Sequence, residues 1–204
     1  MYCFFIESSR EYKKLEKNFL ELPTFYFHKK YRIFKNLLEA RVLFFKTDMK
    51  KASQKLLKCL PYFKKNGFVD ETAYIFFMLG EMYQVAQSFD VARLMFEKAL
   101  DIYQKSQNFY AVPFLMLAKG MLLGQQDQFE EAEDCFEKAE KFYIKTKNIN
   151  EFAQVKYMLV LTYQNNGNSA KAEKALKDLK KHVKKHKITF LDENIKTLEN
   201  SFYV

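Results

Sequence analysis

The chain has no Trp, five Gly, three Pro, three Cys and three His among its 204 residues. Each shortage excludes something. A sheet protein with many tight turns needs more Gly and Pro than this, so the scarcity favours long helices joined by short connections. Cys3, Cys59 and Cys135 are odd in number, widely spaced and without a CxxC pair. Neither a disulfide framework nor a zinc site is indicated, and each reads as a small buried hydrophobe rather than a reactive thiol. No uncharged apolar run approaches the ~18 residues of a membrane span. The opening "MYCFFIESSR" lacks the basic start, apolar length and small-residue cleavage site of a signal peptide. The expected location is the cytoplasm. GxSxG, HExxH, Walker A and GxGxxG patterns are missing, so no enzymatic activity and no cofactor are expected.

What the chain does have is apolar mass and repetition. Hydrophobic residues make up 49% of it, with 22 Phe and 13 Tyr, too apolar for a disordered protein. Four stretches align without a gap at an offset of forty: "LLEARVLFFKTDMKKASQKLLKCL" (37–60), "FMLGEMYQVAQSFDVARLMFEKAL" (77–100), "LAKGMLLGQQDQFEEAEDCFEKAE" (117–140) and "YMLVLTYQNNGNSAKAEKALKDLK" (157–180). Ala52, Ala92, Ala132 and Ala172 share one column; Leu56, Phe96, Phe136 and Leu176 share the next, and Cys59, Ala99, Ala139 and Leu179 a third. Ala40, Gly80, Gly120 and Val160 form a mostly small column.

Each unit divides into two helices. The first is rich in Phe, Tyr, Leu and Met. A polar turn follows ("KTDM", "QSFD", "QQDQ", "NNGNS"), with Asp48, Asp90, Asp127 and Ser169 as expected N-caps. The second helix carries one apolar stripe, as in Ala172, Leu176, Leu179 and Val183. Gly67 reads as a helix C-terminus and Pro113 as a first-turn residue. Gly80 would cost its helix about 1 kcal/mol relative to Ala. Its recurrence as Gly120 suggests a small residue facing the recurrent Ala of the second helix, so that the two axes approach closely.

Leu79, Gly80, Tyr83, Ala92, Phe96 and Ala99 stand at the spacing of the tetratricopeptide repeat, and the sequence resembles that family over residues 29–187. Leu43 and Leu123 replace the tyrosine found at Tyr83 and Tyr163, Val160 replaces the small residue, and the family's opening tryptophan is absent. The family's usual period is about 34. Longer units are similar to those of cytoplasmic peptide-pheromone receptors of Gram-positive bacteria, the Rap, NprR and PlcR type. The resemblance implies an all-α, right-handed solenoid of antiparallel helix pairs in one domain over 1–204. Its repeats would be 24–66, 70–106, 109–147 and 150–187. A partial repeat at 8–23 would precede them, and 190–204 would form a capping helix with Asp192 as cap and Ile195, Leu198 and Phe202 on one stripe.

The same resemblance places the first helices on a concave surface. It assigns to that groove Phe34, Leu37, Arg41, Phe44, Tyr74, Phe77, Glu81, Gln84, Phe114, Leu117, Met121, Gln125, Gln154, Tyr157, Leu161 and Gln164. Phe76 and Leu79 are assigned to the core. The places where family members that clamp a C-terminal carboxylate carry Lys, Asn and Arg hold Leu37, Phe77, Leu117 and Tyr157 here, so an apolar or amphipathic peptide or protein segment is the expected partner. The alternative is a structural adaptor or chaperone-like homodimer that holds a partner's amphipathic helix and associates through its N-terminal edge.

Charge adds less than its total suggests. Of the net +9, residues 169–187 hold eight Lys against Glu173 and Asp178, while 127–140 hold seven acids against Lys138. The lysine helix has no Arg and no interleaved aromatic to read bases, so nucleic acid is not the expected partner. Opposite patches on neighbouring units would aid their register or self-association; they also read as ordinary surface charge. His182 and His186, one turn apart among lysines, read as a solvated face rather than a metal site.

Overall fold

The computed structural model describes residues 29–109 and 111–201. The expected partial repeat at 8–23, Cys3 and Phe202 lie outside them. The chain divides into two compact units, Met1–Asn108 and Phe109–Val204. The described part of the first contains α1 (Lys29–Phe45), α2 (Met49–Lys65), α3 (Val69–Val85) and α4 (Phe89–Lys105). The second contains α5 (Val112–Gln125), α6 (Phe129–Thr146), α7 (Ile149–Asn165), α8 (Ser169–His186) and α9 (Asp192–Ser201). The described residues include no strand. In the first unit α1 packs on α2 and α3 on α4, with α2 against α3; in the second α5 packs on α6 and α7 on α8, with α6 against α7. Repeat register would start α5 at 109, yet it starts at Val112, with Pro113 in its first turn, where the missing N–H is harmless.

The aligned columns are the core. Ala52, Ala92, Ala132 and Ala172 are all fully buried, as are Cys59, Ala99, Ala139 and Leu179. Each second helix thus commits one stripe to its partner and leaves the rest to water. Phe76 and Leu79 are buried as expected, and so are Ile195 and Leu198 of α9.

Gly80 is small for a reason the alignment only half suggests. A Cβ placed on it would lie 2.5 Å from the ring of Phe96, and one on Gly120 would lie 2.5 Å from the ring of Phe136. The nearest neighbour is therefore an aromatic of the second helix, on the same buried stripe as Ala92. Sixteen residues separate these partners, and the same spacing pairs Ala40 with Leu56 and Val160 with Leu176. Ala40 and Leu56 lie in one buried cluster. A bare backbone faces a flat ring in the two middle repeats, whereas the equivalent positions of the outer two hold a short side chain and a leucine, all buried, a trade that keeps the volume filled. Gly80→Ala should therefore destabilise the protein by about 1–3 kcal/mol despite its better helix propensity. Phe96→Leu in the Gly80→Ala background should recover part of that loss, read as a non-additive double-mutant cycle in chemical denaturation.

The turns follow a shorter beat than the repeat. Thr47, Gly67, Gln87, Gln107, Asp127, Lys147, Gly167 and Lys187 all have positive φ, from 56° to 71°, and they recur every twenty residues. At each, the following amide donates to a carbonyl five residues back, as in Ser88 N to Tyr83 O (2.9 Å) and Asn168 N to Tyr163 O (2.8 Å). This bond closes the spent helix in the manner of a Schellman motif. At six of the eight the donating residue also directly precedes the next helix, so one position ends a helix and caps its successor; Asn108 and Ile188, before longer connections, do not.

That dual role corrects three of the four expected caps. Asp48 is one, its Oδ1 accepting from Lys51 N at 3.2 Å. The others are Ser88, Gln128 and Asn168. Asp127 instead occupies the left-handed turn position, and Asp90 and Ser169 lie inside the helices. Of these replacements Asn168 caps with its side chain, through Lys171 N at 3.2 Å. Six of the eight left-handed residues are not glycine, and each carries a strain of about 1–2 kcal/mol that glycine would relieve. Gln87→Gly, at an exposed position, should stabilise the protein by about 0.5–1 kcal/mol after the entropy cost of glycine. A rise in melting temperature checks this.

Candidate functional site

In the first unit the side chains of α1 and α3 divide between core and surface. Phe34 meets Phe63 edge-on at 4.9 Å and Phe68 at 5.4 Å, part of an aromatic cluster with Tyr62. Leu37 and Gln84 are buried. Arg41, Phe44, Tyr74, Phe77 and Glu81 remain half-buried. The Arg41 guanidinium lies 5.9 Å from the Tyr74 ring centre and 5.8 Å from that of Phe45, within cation–π range. Tyr74 and Phe77 sit 6.4 Å apart, and Phe77 leans on Phe96 at 6.0 Å, so the surface patch is continuous with the ring that covers Gly80. Burial pushes the Glu81 carboxyl from its ordinary 4.5 up to about 8, with the Arg41 charge opposing the shift. The apolar surroundings of α3 outweigh that one cation, and Glu81 is mostly neutral at pH 7.

In the second unit Leu117 and Gln154 are buried, Phe114 and Gln125 are exposed, and Met121, Tyr157, Leu161 and Gln164 are half-buried. The terminal helix reaches two of them. Asn194 Nδ2 donates to the Tyr157 hydroxyl at 3.5 Å, and Gln164 Nε2 donates to Ser201 Oγ at 3.1 Å. No signal in the sequence marks these contacts, because α9 shares only the repeat offset with the helices before it. Phe114 packs edge-on to Tyr143 at 6.0 Å.

The opposite charge patches pair across helices of the second unit. Lys171 Nζ lies 2.9 Å from Glu133 Oε1, which also accepts from the Tyr163 hydroxyl at 2.8 Å. Lys156 and Glu140 pair at 2.6 Å with both side chains largely covered. His182 departs from the expected solvated face. Its Nε2 lies 3.1 Å from Ile149 O, its ring is 4.5 Å from Phe152, and burial lowers its pKa. The cause is tertiary: α8 ends beside the start of α7. Burial pushes the Cys59 thiol up to about 11 and raises Cys135 as well, which disfavours the nucleophilic thiolate. The described residues hold no group of three or more His, Cys, Asp or Glu placed for a metal.

Residues 115–143, which span α5 and α6, match the model of the tetratricopeptide repeat family. The fold is tetratricopeptide-like. Among solved structures, the apo form of RapI aligns with a TM-score of 0.79 at 14% identity, over 98% of this chain and 72% of that one. BtubC (BKLC) from P. vanneervenii gives 0.70 at 17%, over 90% and 77%. A Podosopora anserina putative kinesin light chain with nearly identical repeats gives 0.65 at 16%, over 91% and 95%. At these identities the likeness is one of fold. No curated protein matches the chain in sequence. The tetratricopeptide-like fold thus extends well beyond the one repeat that the family model matches, as the structural alignments show.

Glu81 yields a test of the tetratricopeptide surface in the first unit. A carboxyl with a raised folded pKa contributes stability that is fully present below about pH 4.5 and is lost as pH rises through about 8. Glu81→Gln should leave the melting temperature unchanged near pH 4 and raise it progressively above wild type towards pH 9. A constant difference across that range would show that the carboxyl is not desolvated.

Proposed function

We propose that the chain is a non-catalytic module that binds an apolar or amphipathic peptide or protein segment on the first helices of its repeats, and that it acts in the cytoplasm as a sensor or regulator. The observation that supports this is the apolar surface left over after each core is filled. Phe44, Tyr74 and Phe77 in the first unit, and Met121 and Leu161 in the second, stay half-buried, with Phe114 exposed. A helix whose only task is packing needs a single apolar stripe. Full burial of a Phe or Leu contributes roughly 1.5–3 kcal/mol. Several such contacts reach micromolar affinity once the cost of association is subtracted.

Polar groups beside these patches suit a peptide backbone. Gln125 is exposed and Gln164 half-buried at such a position, whereas Gln84 and Gln154 are buried and serve the interior. Arg41 over Tyr74 adds a cation–π pair to the first-unit patch.

Selection of displayed random peptides of about ten residues on the full chain, followed by calorimetry, tests the reading. Micromolar binders with apolar residues at regular spacing are expected, and their affinity should fall at least ten-fold in Phe77→Glu or Leu161→Glu, with folding checked by circular dichroism. Because Phe77 also touches Phe96, Tyr74→Ser serves as the milder first-unit variant. If no peptides are enriched, or if all three variants leave affinity unchanged, the reading is wrong.

A further inference from the structure

We infer that the second unit carries, apart from the residues proposed to bind a peptide, a docking face for an anionic lipid bilayer. The face is formed by the turn between α6 and α7 together with the start of α5 and the end of α8. Phe109, Ile144 and Ile149 are 59%, 59% and 41% exposed there. Three large apolar side chains in water at one end of a unit are more than packing requires. Antiparallel pairing puts the helix ends that carry Ile144 and Ile149 at the same end of the unit, where α5 begins and α8 stops. Two contacts fix the neighbourhood. Phe114, in the first turn of α5, touches Tyr143, the residue before Ile144, and His182 Nε2 lies 3.1 Å from the carbonyl of Ile149.

The second contact also sets the charge of the face, because it holds the last turn of α8 beside Ile149. That turn carries Lys184, Lys185 and Lys187, all exposed, and the α6 end adds exposed Lys145 and Lys147. The acidic groups at the same end are Glu151 of α7 and Asp192 and Glu193 of α9. Five cations against three anions leave the face positive.

A bilayer fits this arrangement better than a protein helix does. The apolar side chains are exposed at helix ends and turns, a placement that suits insertion between headgroups. Every cation in these turns is lysine, which attracts an anionic surface as a point charge on a flexible apolar stem without the bidentate geometry of a specific carboxylate partner. Apolar side chains ringed by lysine are the chemistry of interfacial adsorption.

Co-sedimentation of the full chain with vesicles provides the test. Binding to vesicles containing about 30% phosphatidylserine is expected to be at least ten-fold tighter than to pure phosphatidylcholine, and to weaken as salt is raised. The triple variant Lys184→Glu, Lys185→Glu, Lys187→Glu and the double variant Ile144→Ser, Ile149→Ser should each reduce it at least ten-fold with unchanged melting curves. These positions are exposed and lie outside the proposed peptide surface, so their effects are separable from peptide binding. Equal affinity for both lipids, no binding to either, or insensitivity to the isoleucine pair would overturn the inference. So would tight binding of an acidic helical peptide that depends on these residues in a protein that ignores vesicles.

Discussion

At two places in the molecule an aromatic ring lies on bare backbone. Phe96 over Gly80 and Phe136 over Gly120 leave no room for a single carbon between helices, and the alanine columns beside them are sealed from water. The energetics favour this arrangement clearly. A glycine inside a helix costs about 1 kcal/mol, whereas burying the ring it admits contributes roughly 1.5–3 kcal/mol, before the dispersion gained by close packing. Everything on the surface follows from that approach, since helix pairs held this tightly present their remaining faces in a fixed register within each unit.

The second constraint is backbone hydrogen bonding at the helix ends. Every helix from α1 to α8 ends in a left-handed residue, and the next amide bonds back across the turn. Where the next helix follows at once, as it does six times, the connection is two or three residues long and the same short segment caps that helix. A connection this short cannot slip, because losing one residue would leave carbonyls of the finished helix and amides of the next one without partners. The strain of six non-glycine residues in this conformation is offset eight times over the chain by the same closure.

With the register fixed, charges sort by what surrounds them. Glu81, on the apolar α3, holds its proton more strongly, while Glu133 and Glu140 on the acidic α6 meet Lys171 and Lys156 from the following repeat. The contrast is one of neighbours rather than residue type. The half-buried pair Lys156–Glu140 links α6 to α7 where both side chains are largely withdrawn from solvent, and there a charge without its partner would be costly. The lysines at the end of α8 have no such covering helix and stay in water.

Periodicity made the helices, their pairing and most of the core legible in the sequence. Ala92, Phe96 and Ala99 recur at fixed offsets and are buried because a helix buries every third or fourth residue wherever it packs. Caps were only partly legible: Asp48 was readable, but Gln128 was not, since its position after a left-handed residue defines it and its side chain does not. The candidate surface was harder still. Leu37, Gln84, Leu117 and Gln154 share helices with Phe44, Phe77, Met121 and Leu161, yet the first group is buried and the second half-open. A repeat offset states that two residues are equivalent within their own units. It does not state which neighbour covers them, and that depends on long-range contacts such as Ser201 with Gln164 or His182 with Ile149. Local spacing therefore determined the helices and their buried stripe, while tertiary packing alone decided which side chains were left for a partner, because exposure is a property of what lies opposite a residue and not of the residue itself.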